Sequence, residues 1–176
     1  MIFTETKLAG VFLIDIEPIA DERGFFARTF CKKEFQQRGL VSEFVQCSVS
    51  YNKTNGTLRG MHYQAAPHEE TKIVSCTKGA IYDVVLDLRR ESNTFKQWAA
   101  EELIAANHRA LYIPEGCAHG FLTLEDNSEV YYQISEDYYP ALSEGVRWDD
   151  PAFGIEWPGE VNNISPRDLS FPLYDW

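Results

Sequence analysis

Apolar residues in this chain come in short runs, rich in β-branched and aromatic side chains, that recur at lengths typical of strands. The runs cover residues 11–16, 25–30, 44–50, 72–77, 80–88, 110–113, 120–124 and 129–135. Turn-forming stretches separate them: Asp21-Glu22-Arg23-Gly24, Asn52-Lys53-Thr54-Asn55-Gly56, Lys78-Gly79 and Pro114-Glu115-Gly116. Many short strands punctuated in this way predict an all-β sandwich or barrel rather than alternating βα units. Two short helical pieces flank it. Residues 32–38 close at Gly39, a fitting C-terminal cap, and Ser165-Pro166-Arg167-Asp168 reads as a capped helix start with proline at the first helical position. Residues 148–158 are aromatic but carry Pro151 and Pro158, so they are expected to wrap the barrel rather than join a central strand. Their aromatics serve either as a lid on the core or as a surface for another chain.

Composition narrows the class. The chain has 176 residues and neither an internal repeat nor a Ser/Gly-rich linker, so residues 1–176 read as a single domain with a sizeable core. Sixteen basic against 27 acidic residues give a net charge of −11, which argues against nonspecific binding to nucleic acid or to an anionic membrane. From Phe121 onward only Arg147 and Arg167 are basic, against twelve acids, so these two arginines stand out. Cys31, Cys47, Cys76 and Cys117 show no C-x-x-C spacing and fit a reducing compartment. The start of the chain lacks the pattern of a signal peptide, and no apolar run is long enough to span a bilayer. A cytoplasmic location is expected.

The chemistry concentrates in Gly56-Thr57-Leu58-Arg59-Gly60-Met61-His62-Tyr63-Gln64 and in Ile113-Pro114-Glu115-Gly116-Cys117-Ala118-His119-Gly120-Phe121. A metal-binding barrel of the cupin type would place a second histidine where Gln64 stands. Its ligand set would be His62, Glu69 or Glu70, and His119, but an amide is a poor ligand, and a metal-free site is the expectation. Cys117 lacks the context of an activated nucleophile. His62, with Arg59 three residues before it, suits base chemistry on an anionic substrate instead, since an imidazole exchanges protons near its ordinary pKa of ~6.5. Asp168 is a candidate to orient that imidazole; the competing reading is a helix capping box with Ser165. Lys72 can point into the barrel and stabilise a developing enolate oxygen, or remain solvated at a strand edge. Tyr131 and Tyr132 must face opposite sides of a sheet, and an inward Tyr132 is a competent proton donor.

In their order along the chain, these pieces resemble a known family. The set comprises Asp21-Glu22-Arg23-Gly24-Phe25-Phe26, Phe44-Val45-Gln46, residues 58–64, Lys72-Ile73-Val74, Asp83 to Arg89 with Ser92-x-Thr94-Phe95, residues 113–121, Tyr138-Tyr139-Pro140 and Trp148-Asp149-Asp150-Pro151. Together they resemble the dTDP-4-dehydrorhamnose 3,5-epimerases over nearly the whole chain. The resemblance implies a cupin-type jelly roll, a homodimer that exchanges N-terminal strands, no cofactor and no catalytic metal. It implies a nucleoside-diphosphate 4-keto-6-deoxyhexose as substrate, epimerised at C3, C5 or both. His62 would be the base, oriented by Asp168, Tyr132 the acid, and Lys72 the partner of the C4 enolate oxygen. Arg59 and His119 would position the sugar and diphosphate, Arg23 and Gln46 the nucleotide. Tyr138 would stack on the base, with Glu144 a late contact.

Three positions depart from the family pattern. Arg28 stands where an acid contacts the nucleotide, Gln46-Cys47-Ser48 replaces Gln-x-Asn, and Arg167 replaces a lysine. The first two changes bear on which nucleotide and sugar are bound and leave the acid/base set intact. Two other readings compete: a 3,4-ketoisomerase of related fold, and a non-catalytic cupin that binds a nucleotide sugar.

Overall fold

A computed structural model of the chain describes residues 1–175. Fourteen strands, two short α-helices and one 3-10 turn at Pro140–Leu142 are described. One sheet has the order β1(Ile2–Glu5), β2(Phe12–Asp15), β10(Ala110–Ile113), β7(Lys72–Lys78), β12(Ser128–Ile134), β5(Gln46–Asn52). The other runs β13(Ser143–Gly145), β6(Thr57–Gln64), β11(Cys117–Thr123), β8(Ala80–Asp87), β9(Trp98–Ile104), and β14(Asn163–Ile164) adds in parallel to β6. A separate hairpin joins β3(Ile19–Asp21) and β4(Gly24–Phe26). The result is an all-β sandwich, as the strand pattern predicts, with the jelly-roll form that the family resemblance implies.

Its core follows from side-chain alternation. Leu13, Val74, Ile81, Val85, Leu111, Phe121 and Val130 meet between the two sheets. The outer faces are covered as well, which is why several strands read as continuous apolar runs rather than alternating ones. Phe35 of α1(Lys32–Gln36) packs with Ile14, Ile73 and Tyr112 on one side. On the other, Val146, Phe153, Ile155 and Trp157 lie over Met61, Val84 and Leu86. The proline-broken segment 148–158 therefore wraps the barrel as a lid on this second cluster, as its prolines require.

Short edge strands such as β1, β3, β13 and β14 were not expected from the sequence, and two further differences have clear physical causes. The run 25–30 is a strand only through Phe26; Phe30 turns inward and packs against Phe35 and Phe44, so aromatic burial rather than strand pairing sets its position. β9 was not expected, because Ala99-Ala100-Glu101-Glu102 has helix-favouring composition. Pairing with β8, with Ala99 and Leu103 turned into the core, overrides that local preference. Among the described residues no helix is long and apolar enough to cross a membrane.

Candidate active site

A cavity of about 480 Å³ opens between the sheets, lined from β6 and β11 on one side by Arg59, His62, His119 and Phe121. From β7, β12 and β5 on the other side come Lys72, Tyr132, Ile134, Ser48 and Ser50, with Glu70, Tyr138, Ser143 and Arg167 completing it.

Arg59 and His62 share this cavity because β6 carries a bulge. His119 stands opposite His62 and Phe121 opposite Arg59, so two steps on β11 match three on β6. The extra residue restores a common inward face for two side chains three positions apart. Glycine makes the bulge possible: Gly60 has φ +136°, and a Cβ there would lie 2.5 Å from the Gly120 Cα. Gly120 is equally constrained, since a Cβ on it would meet Met61 Sδ at 2.7 Å and the Arg59 carbonyl at 2.9 Å. The outer edge of β6 is covered by β14 at Thr57–Leu58 and by β13 at His62–Gln64. The Gly60 N–H falls between them and donates to Asp168 Oδ2 at 3.2 Å.

The other oxygen of that carboxylate faces the imidazole. His62 Nε2 lies 2.7 Å from Asp168 Oδ1, and Asp168 is only 3% exposed. Burial would raise the Asp168 pKa, but the bonds from His62, Gly60 and Ser165 outweigh it and hold the carboxyl below its ordinary value. An ionised carboxylate only accepts, so Nε2 carries the proton of this bond, and Nδ1 is the ring nitrogen left to exchange a proton with a substrate. The competing capping role is filled by the backbone: Asp168 N donates to Ser165 Oγ at 3.0 Å, at the start of α2(Pro166–Leu169). Asp168 thus belongs to the cap through its amide and to His62 through its side chain. The Phe171 ring packs edge-on against His62, with centroids 5.9 Å apart.

Across the cavity, Tyr132 alternates inward and Tyr131 outward on β12, in keeping with the period of a strand. Burial pushes the Tyr132 phenol well above its ordinary range; the nearby Asp83 carboxylate adds to the rise and Arg59 opposes it. The phenol is therefore fully protonated at neutral pH. His119 Nε2 bonds Asp83 Oδ1 at 2.7 Å, and the ring meets Tyr132 edge-on at 6.0 Å. Asp83 Oδ2 is buried without a hydrogen-bond partner among the described residues. Lys72 Nζ lies 2.6 Å from Glu70 Oε1.

Sequence reasoning missed Asp83 and recognised Glu70 only as a metal-ligand candidate. Each carried a signal: Asp83 is an acid within an apolar strand, and Glu70 is two residues from Lys72, on the same side of an extended chain. Among the described residues no three His, Cys, Asp or Glu side chains are grouped to hold a metal ion. Gln64 is occupied otherwise. Its amide donates to the carbonyls of His68 and Asp137 and accepts from Tyr139 N, tying two loops to β6. The Cys117 thiol is pushed up by burial to about 12, unsuited to nucleophilic attack at neutral pH.

Not every expected residue reaches the cavity. Arg59 is held by Asn52 Oδ1 at 2.7 Å and Arg167 by the Ser143 carbonyl at 2.8 Å, both at its wall. Arg147, by contrast, is paired with Asp149 at 2.7 Å. Gln46 bonds Asp137 at 3.3 Å, and Glu144 accepts from the Tyr63 hydroxyl at 2.7 Å beside an outer groove. Arg23 is 85% exposed on the β3–β4 hairpin and pairs with Asp21. Arg28 lies in a separate cleft with Met1, Glu17 and Glu34, its guanidinium 3.8 Å from Glu34.

A jelly roll enclosing an aspartate-held histidine, a protonated tyrosine and several cations belongs with the cupin-fold isomerases. Residues 5–175 match the family model for dTDP-4-dehydrorhamnose 3,5-epimerase, and the chain belongs to that family. A curated relative, the dTDP-4-dehydrorhamnose 3,5-epimerase of Methanothermobacter thermautotrophicus, is 43% identical over 96% of this chain and 92% of its own. The Bacillus anthracis enzyme of the same name, solved with TDP and pyrophosphate bound, superposes with a TM-score of 0.93 at 41% identity, covering 98% of both chains. A 3'-monoepimerase from Streptomyces bikiniensis in complex with dTDP-quinovose has a TM-score of 0.88 at 31% identity, over 96% of this chain and 85% of that one.

Proposed function

We propose that this single-domain chain epimerises a dTDP-linked 4-keto-6-deoxyhexose at C3 and C5 through an enolate, without cofactor or metal. The observation that carries the reading is the placement of His62 and Tyr132 on opposite sheets facing one cavity. A C4 ketone acidifies the hydrogens on both neighbouring carbons. His62 removes one of them, Asp168 stabilises the resulting imidazolium, and the electron pair moves onto the C4 oxygen. Lys72 lies within the same cavity to hold that charge. Tyr132 then donates its proton to the opposite face of the carbon, which inverts it; His62 passes its proton to solvent and the Tyr132 phenolate takes one from solvent, and with both groups restored the step repeats at the second carbon. A mere binder would have no need of a base and an acid on facing walls.

Arg59, Arg167 and His119 fit the diphosphate and sugar, and exposed Tyr138 offers its ring to the nucleotide base, with Ser48 on the same rim. Arg23, Arg28, Gln46 and Glu144 lie outside the cavity of one chain; exchange of N-terminal strands in a homodimer would bring the hairpin residues to a partner's site. Arg28 is donor-only where the family uses an acid, so nucleotide preference is the property it would change. A soluble, cytoplasmic setting suits such a substrate. Product analysis by NMR after incubation with the dTDP-linked 4-keto sugar tests the proposal. Inversion at C3 and C5 supports it; inversion at C3 alone places the chain with the monoepimerases, and migration of the keto group to C3 makes it a ketoisomerase.

A further inference from the structure

The cavity presents Arg59, Lys72 and Arg167 to an anionic ligand, yet one carboxylate lines it as well, that of Glu70. A negative charge there opposes the binding of a diphosphate, so its presence points to another task. Glu70 Oε1 is 2.6 Å from Lys72 Nζ, and the two side chains are 13% and 10% exposed. The backbone between them is fixed to the end of β12: Thr71 N donates to Ser135 Oγ at 2.8 Å and Ser135 N donates to the Thr71 carbonyl at 3.0 Å. Both side chains therefore leave an anchored segment on the same side.

We propose that Glu70 is a positioning residue that holds the Lys72 ammonium at one place in the cavity, at some expense in affinity for the anionic substrate. The inference rests on the reading of Lys72 as the group that meets the C4 oxygen. A lysine is a point charge on a flexible four-carbon stem, and electrostatic stabilisation of a developing oxyanion depends on a donor already in place. The carboxylate supplies that placement, and buried pairing keeps it from being lost to solvent.

Glu70→Gln and Glu70→Asp test this, with three readouts on the intact protein. The first is the rate at which acetic anhydride labels Lys72, followed by peptide mass analysis, which needs no substrate. Glu70→Gln is expected to raise it, because acylation needs the amine released from its carboxylate. The second is turnover: kcat is expected to fall by about tenfold or more in Glu70→Gln, with part of the loss recovered in Glu70→Asp. The third is calorimetric binding of dTDP, expected to be unchanged or tighter in Glu70→Gln. Slower turnover with binding preserved or improved is a split that a general loss of structure does not produce. Unchanged labelling, or kcat and dTDP affinity falling together with the melting temperature, would overturn the proposal. If the wild-type chain fails to turn over the keto sugar, the epimerase reading fails by itself, and the labelling rate still decides whether Glu70 holds Lys72.

Discussion

Arg59 and His62 are three residues apart on one strand and yet face the same cavity, because the bulge at Gly60 inserts an extra residue opposite β11. An unbroken strand would turn one of them outward. On the opposite edge of β6, in the gap between β14 and β13, the Gly60 N–H donates to the Asp168 carboxylate that holds His62, so this short stretch of strand places the arginine, the histidine and the carboxylate.

Substitution of either glycine should therefore cost activity as well as stability. Gly60→Ala forces a side chain into a positive-φ conformation and against Gly120, and Gly120→Ala forces one against Met61 and the Arg59 carbonyl. Each is expected to destabilise the fold by about 1–3 kcal/mol or more, measurable by urea unfolding. Turnover should fall further than in a surface variant of equal stability, since the bulge also sets the His62 position.

His62→Ala is expected to reduce kcat by about 10²–10⁴-fold while dTDP binding stays within about tenfold, because the base acts on the reacting carbon rather than on the nucleotide. Asp168→Asn should lose turnover to a similar extent through the imidazolium. Ser165→Ala removes the cap and only the smallest of the contacts that hold the Asp168 carboxylate, and should lower stability by about 0.5–2 kcal/mol with far less effect on kcat. Comparing kcat with the melting temperature for the three variants separates catalysis from capping.

Much of this was legible in the sequence. The all-β sandwich follows from short apolar runs and turn glycines, its jelly-roll form only from the family resemblance, and the wrapping of residues 148–158 from their prolines. Lys72 and Tyr132 could be nominated because a charged or hydroxylated residue inside a strand needs a partner, Arg167 because it is one of two basic residues in an acidic C-terminal stretch, and His119 through the family resemblance. The Asp168 side chain was ambiguous, since Ser165 to Asp168 is also a capping pattern; only tertiary structure sends the carboxylate across to β6. The bulge, the Asp83 contact with His119 and the role of Gln64 in tying loops all depend on register between distant strands, which local pattern does not encode.

Acid stability has an identifiable contributor away from the cavity. Burial tends to raise the Asp87 pKa, but Arg89, Ser92 and Thr94 donate to its carboxylate and hold it at about 2, below the ordinary 3.8. A lowered pKa means that the folded state favours the charged form. This stabilisation is complete above pH ~4 and is lost as pH falls toward ~2. It amounts to about 2 kcal/mol, so unfolding measured at pH 5 and pH 2.5 should show a larger loss in the wild type than in Asp87→Asn.

Exhaustive chelation should leave turnover unchanged. Gln64 is committed to backbone groups, and Glu70 is paired with Lys72, so neither is disposed as a metal ligand. Loss of activity after EDTA, restored by a divalent ion, would contradict this.

The central claim is removal and return of protons at two carbons flanking the ketone, and deuterium incorporation measures it most directly. Incubating the protein with the dTDP-linked 4-keto-6-deoxyhexose in deuterium oxide and analysing the sugar by mass spectrometry and NMR counts the exchanged carbons. The account predicts solvent-derived deuterium at both C3 and C5, with each inverted, and neither exchange in His62→Ala. A wild-type protein that binds the nucleotide sugar but incorporates no deuterium would contradict it.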